Sequence, residues 1–398
     1  MIVLVFEPTY TGTTHAPGNS HLVQIVARAL PEARVRVSAE AGHLAELRAD
    51  AALAALGNVE YRPIALAPRF RGQVNAVSWE RFRHEFAMLR AGLAERRRGE
   101  PVLILLASLT GTAIAAALLA ARLAGGRVAV QVGLHGDLNS VEGWRSANPL
   151  ARRLDLRGML ENAGPRAGFL VFEPSIAREL ARLVPRAAGR IDVLPLAVNV
   201  SELAHWRPPP PPPPLHIGLV GQTTRAKGIE PFLETARLLR ARYGARVAFH
   251  IVGKRMPETS PESLADIAEE VPDRHLGRDE FLRLLAGLHY VFLPLQPSYY
   301  RLSASGAVLD AVTWLRPMIA TRLPIVEDLF AQAGDIGHLC DDVAEMQRVL
   351  AGLIETPDPA RYARQVEALR RLRETRTPAA LAGPYRQLVL QRWPRLAD

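Results

Sequence analysis

The sequence predicts an α/β protein made of two doubly wound units in tandem, each with a parallel sheet covered by helices. Short, continuously apolar segments such as 102–107 are typical of strands that are buried on both faces. Helical patterns alternate with these segments, as βαβ units require. A run of seven prolines at 208–214 interrupts the alternation, which then starts again.

The expected elements follow this alternation from the first residues onward. In the N-terminal half, the expected strands are 2–6, 34–38, 59–64, 102–107, 127–133, 168–172 and 191–195. The expected helices there are 18–30, 41–55, 79–98, 110–124, 148–161 and 175–184. After the prolines, the expected strands are 215–220, 246–252, 290–294, 317–320 and 336–339, with helices between them and a mostly helical tail from 357.

The proline run gives the domain boundaries. Successive prolines favour an extended polyproline rod of about 3.1 Å per residue, which suits a semi-rigid spacer. We therefore expect a first domain at 1–207, a linker at 208–214 and a second domain at 215–380. A last helix at 381–398 is expected to pack back on the first domain. The alternative is that the run presents a proline-rich ligand to a partner protein.

Composition restricts the class of protein. The single cysteine, Cys340, excludes an intramolecular disulfide and permits a reducing compartment. No basic segment followed by an apolar run begins the chain, so a secretory signal is not expected. The longest apolar stretch, 113–123, is too short to span a bilayer. The sequence predicts a cytoplasmic protein, with peripheral contact at the inner membrane face left open.

The formal net charge is +9, and its distribution argues against nucleic acid as a partner. The arginines are spread over many expected helices instead of being gathered with aromatic residues on one face. A general affinity for anions such as phosphates or lipid headgroups remains. Among 49 basic residues only Lys227 and Lys254 are lysines. Both fall in the stretch expected to hold phosphate or nucleotide, and Lys227 lies in the segment with the clearest phosphate-binding pattern.

That segment follows the expected strand 215–220. Gly221 permits a tight exit from the strand and a close approach of a ligand to the backbone. Arg225 and Lys227 come just before a helix that starts near Gly228, where they are well placed to bind a diphosphate at the strand ends. Neither the P-loop pattern nor the G-x-G-x-x-G dinucleotide pattern occurs here. The alternative is that both cations are ordinary solvated loop charges.

A second anion-binding element follows the expected strand 290–294. A helix is expected to begin near Ser305, so its free amides and positive end can hold a phosphate. Asp310, about one turn into this helix, can accept hydrogen bonds from ribose hydroxyls. The expected donor-binding residues of this element are Ser303, Ser305, Gly306, Ala307 and Asp310.

These motifs resemble the C-terminal domain of family 4 glycosyltransferases (glycosyl transferases group 1), which have the GT-B fold of two Rossmann-like domains facing across a cleft. The resemblance implies that Arg225 and Lys227 neutralise the diphosphate of a nucleotide-sugar donor. The family's Glu-x7-Glu element falls on Leu302 and Asp310, so the first acid is missing. The retaining or inverting outcome therefore stays open.

The resemblance also implies roles in the first domain. His135, after the expected strand 127–133, matches the family histidine that faces the donor sugar, with Asp137 available to orient its ring. Gly18 and His21 match a loop near the phosphate and acceptor, although that loop is equally consistent with a surface loop ending in an Asn19 or Ser20 cap. Glu173 either orients an acceptor or caps a helix.

The expected activity is metal-independent transfer of a sugar from a UDP- or GDP-linked donor to a hydroxyl acceptor, with no cofactor. His135, Arg225 and Lys227 are the expected catalytic residues. A glycan or glycolipid acceptor in bacterial surface glycan synthesis is the family-level expectation. A UDP-sugar 2-epimerase of the same fold and a non-catalytic nucleotide-sugar-binding protein remain as alternatives.

Overall fold

A computed structural model describes residues 1–72, 77–108, 110–135, 138–143, 152, 155–198, 208, 211 and 213–396. The chain divides into two compact units. The first unit contains Met1–Ala197 and Arg376–Asp398, and the second contains Val198–Thr375. Three residues of the expected linker, 209, 210 and 212, lie outside the described residues.

The first unit is built on a parallel sheet. Its described strands are β1 (Ile2–Phe6), β2 (Arg34–Ala39), β3 (Val59–Pro63), β4 (Val102–Leu106), β5 (Val128–Gly133), β6 (Ala167–Val171) and β7 (Ile191–Val193). They lie in the order β3-β2-β1-β4-β5-β6-β7, and every pair is parallel. The direction of winding therefore reverses between β1 and β4, where open α/β sheets bind ligands.

Helices cover both faces of this sheet. They are α1 (Ala16–Ala29), α2 (Ala41–Ala49), α3 (Ala51–Ala54), α4 (Trp79–Ala94), α5 (Gly111–Ala124), α6 (Leu156–Asn162) and α7 (Pro174–Leu183). The single helix expected at 41–55 is broken at Asp50, because its carboxylate caps α3 by accepting from the amides of Ala52 and Leu53. The first part of the helix expected at 148–161 lies mostly outside the described residues.

The second unit has a smaller parallel sheet of β8 (Leu215–Val220), β9 (Val247–Val252), β10 (Tyr290–Leu293), β11 (Met318–Thr321) and β12 (Gly337–Cys340). Its order is β12-β11-β10-β8-β9. A parallel bridge from Phe249 to Ile267 adds a short further contact beyond β9. The helices are α8 (Ile229–Tyr243), α9 (Arg278–Gly287), α10 (Pro297–Tyr300), α11 (Gly306–Thr313), α12 (Pro324–Ala333), α13 (Val343–Glu355) and α14 (Pro359–Thr375).

The last helix, α15 (Pro378–Arg392), belongs to the first unit and packs against α1. Leu381 and Val389 are buried in the apolar core of that unit. The Tyr385 hydroxyl donates a hydrogen bond of 2.6 Å to Gln131 Oε1 on β5. A buried hydroxyl with a partner fixes the position of the helix on the sheet. None of the helices in the described part of the chain combines the length and apolarity needed to cross a bilayer.

Candidate functional site

In the second unit, the reversal of strand order lies between β8 and β10, and the segments that leave these two strands meet there. The first segment runs from Gly221 to Gly228, and the second leads from Pro294 to Ser305. A crevice of this type, at the carboxyl ends of the strands, is where doubly wound sheets bind their ligands.

Gly221 and Lys227 are in direct contact at this point. Gly221 has φ +107°, a value that side-chain-bearing residues rarely adopt. The Lys227 ammonium lies over the Cα of Gly221. It donates a hydrogen bond of 3.2 Å to the Val220 carbonyl at the end of β8. The only lysine of this turn is therefore folded back against the strand end, with its charge at the mouth of the crevice.

Hydrogen bonds hold the turn on both sides. Thr223 is buried, and its Oγ1 accepts from the Met256 amide at 2.8 Å, which ties the turn to the segment after β9. On the other side, the Gln296 amide donates to the Ala226 carbonyl at 3.1 Å. A turn fixed from both neighbours can hold a charge in place before a ligand arrives, which lowers the entropic cost of binding.

Gly228 begins α8 in the left-handed region, with φ +74°. A Cβ at this position would lie 2.1 Å from the Pro294 carbonyl oxygen. Only glycine permits this approach of the two segments, so the glycine predicted near the helix start is required by packing as well as by conformation.

The helix expected near Ser305 is α11, and Ser305 is its N-cap. The Ser305 Oγ accepts from the Val308 amide at 3.4 Å. Gly306 is exposed at the first position of the helix, whereas Ala307 is buried beside it. Ser303, in the preceding turn, is half-buried. The exposed Gly306 leaves backbone amide groups at the helix start available to an anion.

Asp310 on α11 lies close enough to Lys227 for their charges to interact. Burial raises the pKa of the Asp310 carboxyl to about 7, and the Lys227 charge opposes this rise. Burial likewise lowers the pKa of Lys227, and Asp310 opposes that fall. For both groups, the loss of hydration shifts the pKa more than the attraction between the two charges does. Neither charged form is therefore well stabilised without a ligand. Such perturbed pairs in a crevice are typical of functional sites.

Arg225 differs from Lys227, although both are in the same short turn. Its side chain is 84% exposed, and its Nε donates to Glu230 Oε1 at 3.0 Å. An exposed ion pair of this kind contributes little to stability, so the guanidinium can exchange Glu230 for a phosphate.

Leu302 stands where the resemblance would place the first acid of the Glu-x7-Glu element. It is almost completely buried. A carboxylate at this position would be desolvated without a ligand. The departure from the family pattern is therefore a structural feature of this chain.

In the first unit, Glu7 organises the segment that follows β1. Its carboxylate accepts from the amides of Thr9 and Tyr10 at 2.9 and 3.0 Å. It also accepts from Asn19 Nδ2 at 3.0 Å and from Ser108 Oγ, beyond β4, at 2.6 Å. A buried carboxylate with four donors is well satisfied. The reversal point of the first sheet is thus filled by a protein hydrogen-bond network.

His135 follows β5 and lies in a group of rings that we call the aromatic cluster, comprising Tyr10, His15, His135 and Phe172. Its ring lies edge-on to His15, with centroids 4.3 Å apart, and edge-on to Phe172 at 5.7 Å. Burial, and then the nearby His15, lower the pKa of His135 to about 4. The imidazole is therefore neutral at pH 7. Asp137, its expected orienting residue, lies outside the described residues.

The expectation of a long loop through Gly18 and His21 is wrong. The loop ends at His15, which has φ 57° and precedes α1, and Pro17 lies in the first turn of that helix. Proline favours this position because its fixed φ suits the first turn. Gly18 is therefore an exposed helix residue, and the His21 ring is hydrogen-bonded to the Ala197 carbonyl at 3.0 Å.

The same helix start excludes the expected caps. Asn19 and Ser20 are buried inside α1, where Asn19 binds Glu7 and Ser20 Oγ donates to Asp50 Oδ2 at 2.6 Å. Their polar side chains serve the interior of the unit and do not end a surface loop.

Glu173 forms a buried, two-pronged ion pair with Arg376. The two nitrogen–oxygen distances are 2.8 and 3.2 Å. Glu173 precedes α7, but its side chain makes no capping hydrogen bond, so the helix-capping alternative is wrong. Its carboxylate is already bound by the chain segment that leads into α15.

Sequence reasoning did not identify Thr223, Gln296, Glu7 or His15. Thr223 and Gln296 form hydrogen bonds with backbone groups far along the chain, and Glu7 accepts hydrogen bonds from four donors. No local sequence motif identifies residues of this kind. The left-handed His15 has no residue-type signal either. The described residues contain no group of three or more His, Cys, Asp or Glu side chains arranged to hold a metal ion.

Comparison with solved structures identifies the fold class. No protein-family model matches this sequence, and no curated protein is significantly similar to it. Solved structures do match. Anabaena HepE in complex with UDP has a TM-score of 0.64 at 16% identity, covering 98% of this chain and 100% of that one. An E. coli trehalose-6-phosphate structure bound with UDP-2-fluoro glucose has a TM-score of 0.66 at 12% identity, covering 98% and 99%.

A third match is an alpha,alpha-trehalose-phosphate synthase (UDP-forming) from Burkholderia xenovorans in complex with glucose-6-phosphate. Its TM-score is 0.61 at 14% identity, covering 98% of this chain and 100% of that chain. Likeness at such low identity is evidence of shared fold and not of shared chemistry. The predicted fold class, the GT-B type with two Rossmann-like doubly wound domains, is confirmed by these matches over nearly the whole chain.

Proposed function

We propose that this protein is a glycosyltransferase that moves a sugar from a nucleotide diphosphate donor to a hydroxyl acceptor. The observation that carries the proposal is the position of Lys227. Its ammonium lies on Gly221 at the strand-order reversal and is electrostatically coupled to Asp310 on α11. A cation, a helix start and a titratable carboxyl in one crevice suit the diphosphate and ribose of such a donor.

The reaction breaks the bond between the anomeric carbon of the donor and the β-phosphate oxygen. The acceptor oxygen forms the new bond to that carbon and loses its proton. Negative charge develops on the departing diphosphate, where Lys227, Arg225 and the free amides at Ser305 and Gly306 would stabilise it. Fixed donors of this kind supply the stabilisation that a metal ion gives in other transferases, so we propose a metal-independent reaction without a cofactor.

Asp310 would meet the ribose hydroxyls of the nucleotide, with its neighbours Ser303 and Ala307 lining the same segment. Because its pKa is raised to about 7, the carboxyl can donate as well as accept a hydrogen bond near neutral pH. A protonated carboxyl would also avoid repulsion with the diphosphate. Binding of the anion would in turn stabilise the charged form of Lys227.

His135 is the proposed sugar-facing residue of the first unit. Its lowered pKa keeps the imidazole neutral at pH 7, so that one ring nitrogen can accept a hydrogen bond while the other donates one. A glycan, glycolipid or other hydroxyl-bearing acceptor is proposed for this unit, with Gly18, exposed in the first turn of α1, as a further proposed contact.

The solved structures support the nucleotide part of the proposal. HepE was solved in complex with UDP, and also with UDP and glucose. The E. coli protein was bound with UDP-2-fluoro glucose. These ligands belong to those proteins, and they favour a uridine nucleotide as the first to test here.

A non-catalytic nucleotide-sugar-binding protein is the second candidate, because the buried Leu302 replaces the first acid of the family motif. Such a protein would bind the donor without transferring its sugar. The two candidates differ in turnover and not in binding.

The experiment is a thermal-shift screen of UDP, GDP and their common sugar conjugates on the parent and on Lys227→Ala. We expect one nucleotide to raise the parent's melting temperature and to raise that of the variant much less. Arg237→Ala is the matched control, because Arg237 is exposed on α8 away from the turn, and its shift should equal the parent's. Equal shifts in all three proteins would disprove the site. Binding without release of nucleotide in the presence of an acceptor mixture would favour the second candidate.

A further inference from the structure

Helix α4 displays a row of aromatic rings at the surface of the first unit. Trp79 is 71% exposed. It stacks on Phe82 with ring centroids 5.2 Å apart, and Phe82 stacks on Phe86 at 5.9 Å, with interplanar angles of 16° and 6°. Spacing of three and four residues places all three rings along one side of the helix. We call Trp79, Phe82 and Phe86 the aromatic row.

Other exposed apolar side chains occur on the neighbouring helix and just before α4. Helix α5 packs against α4, and it exposes Leu119 and Leu123, the latter to 65%. Val77, two residues before Trp79, is 57% exposed. These residues account for most of the exposed large apolar side chains in the described part of the chain; the others are Leu238 and Tyr299. Val77 is exposed next to the start of the aromatic row, and an exposed apolar surface of this kind marks a contact with another apolar body.

The charged side chains of α4 that have no ion-pair partner within the described structure are all positive. Arg83 and Arg90 are exposed on the same side as Trp79, and neither has an ion-pair or hydrogen-bond partner among the described residues. The acids of the helix are occupied. Glu80 pairs with Arg69, and Glu85 is buried against Arg81. The exposed surface of α4 is therefore apolar and cationic without a free carboxylate.

We propose that this face of α4, with Val77 before it, docks on the surface of an anionic lipid bilayer. Tryptophan and phenylalanine side chains insert at the level of the lipid headgroups, and arginines beside them bind the lipid phosphates. The unpaired Arg83 and Arg90 select an anionic surface over a neutral one. The exposed aliphatic Val77 before the rings favours lipid over a glycan, which would use the ring faces and hydrogen-bonding groups.

The inference goes beyond the proposed transferase activity and does not depend on it. It rests on residues that take no part in the nucleotide crevice of the second unit. Lipid binding and nucleotide binding are therefore measured separately, and failure of one leaves the other standing.

The test is sedimentation of the full chain with vesicles, either of phosphatidylcholine alone or of phosphatidylcholine mixed with phosphatidylglycerol. We expect binding to the mixed vesicles that weakens as salt is added. Arg83→Gln combined with Arg90→Gln should lower the partition coefficient about 25-fold, since each arginine contributes about fivefold near such a surface. Trp79→Ser should lower it about tenfold, and Trp79→Phe should restore most of the loss.

The matched control combines Arg237→Gln with Leu238→Ser, which removes an exposed arginine and an exposed leucine from α8. Its binding should equal the parent's. Melting curves of each variant establish that it is folded. The proposal is overturned if the folded parent does not bind the mixed vesicles, or if the control loses as much binding as the α4 variants. Protection of Trp79 by a soluble glycan, without vesicle binding, would assign the row to an acceptor instead.

Discussion

The Lys227 ammonium occupies the space that a side chain on Gly221 would need. A Cβ on Gly221 would lie 1.7 Å from Lys227 Nζ and 2.9 Å from its Cε. The position of the lysine side chain therefore depends on the glycine six residues before it. The missing side chain lets the cation fold back to the end of β8, where it donates to the Val220 carbonyl.

Gly221→Ala should remove nucleotide binding and lower stability together. The alanine methyl group would displace Lys227, and φ +107° is unfavourable for alanine by about 1–3 kcal/mol. The measurement is the melting temperature with and without the nucleotide that stabilises the parent. Gly352→Ala, in the last turn of α13 where nothing lies within 4 Å of a Cβ, should instead be neutral or stabilising. A fully retained nucleotide shift in Gly221→Ala would contradict the contact.

Asp310→Asn should stabilise the unliganded protein at pH 8 and weaken nucleotide binding. The folded pKa of Asp310 is about 7, above that of the unfolded chain, so the native state holds the extra proton. Stability is therefore lost as the pH rises from about 4 to 7, and asparagine removes this loss. The check is the melting temperature of both proteins across pH 5 to 8, with a gap that widens from pH 5 to about 7 and then levels off. A gap that is constant with pH would show that Asp310 does not titrate there.

His289 should contribute to loss of stability in acid. Burial, with His216 and Arg316 nearby, lowers the pKa of His289 to about 4, and its Nδ1 accepts from the His216 amide at 3.0 Å. Below pH 6.5 the unfolded chain binds the proton and the folded chain does not, so stability falls by up to about 1.4 kcal/mol per pH unit down to pH 4. His289→Asn, which keeps an acceptor, should show a shallower decline in unfolding free energy. His135 has the same shift and stays in both proteins, so only the difference in slope is diagnostic.

Glu173→Ala should cost about 3–5 kcal/mol of stability, because it leaves the Arg376 guanidinium buried without its partner. Adding Arg376→Met should recover part of this loss, since the uncompensated charge is then gone. Chemical denaturation of the two single variants and the double variant measures the coupling. Glu173→Gln tests the acceptor role that the resemblance implied. Unchanged stability with loss of transfer would support that role over the ion pair.

Much of the architecture followed from local patterns. The strand at 215–220 and the helix at Ser305 were predicted because continuous apolar runs and cap residues act over a few neighbours. The same reasoning predicted a helix at 18–30 but failed at its start, because the loop was expected to run on to an Asn19 or Ser20 cap and α1 begins at Ala16. His43 and Glu7 bind Asn19 from distant elements, which makes polar residues suitable for the interior.

The sequence by itself determined the two doubly wound units, their strands, and the turn that carries Lys227, since each depends on the pattern of neighbouring residues. Only the tertiary structure decided that Asp310 lies close enough to Lys227 for their charges to interact. It also decided that Glu173 forms an ion pair with Arg376 and that Trp79 remains at the surface. These relationships join residues far apart in sequence. They depend on which side chains the packed sheets and helices exclude from water, and no local pattern encodes that.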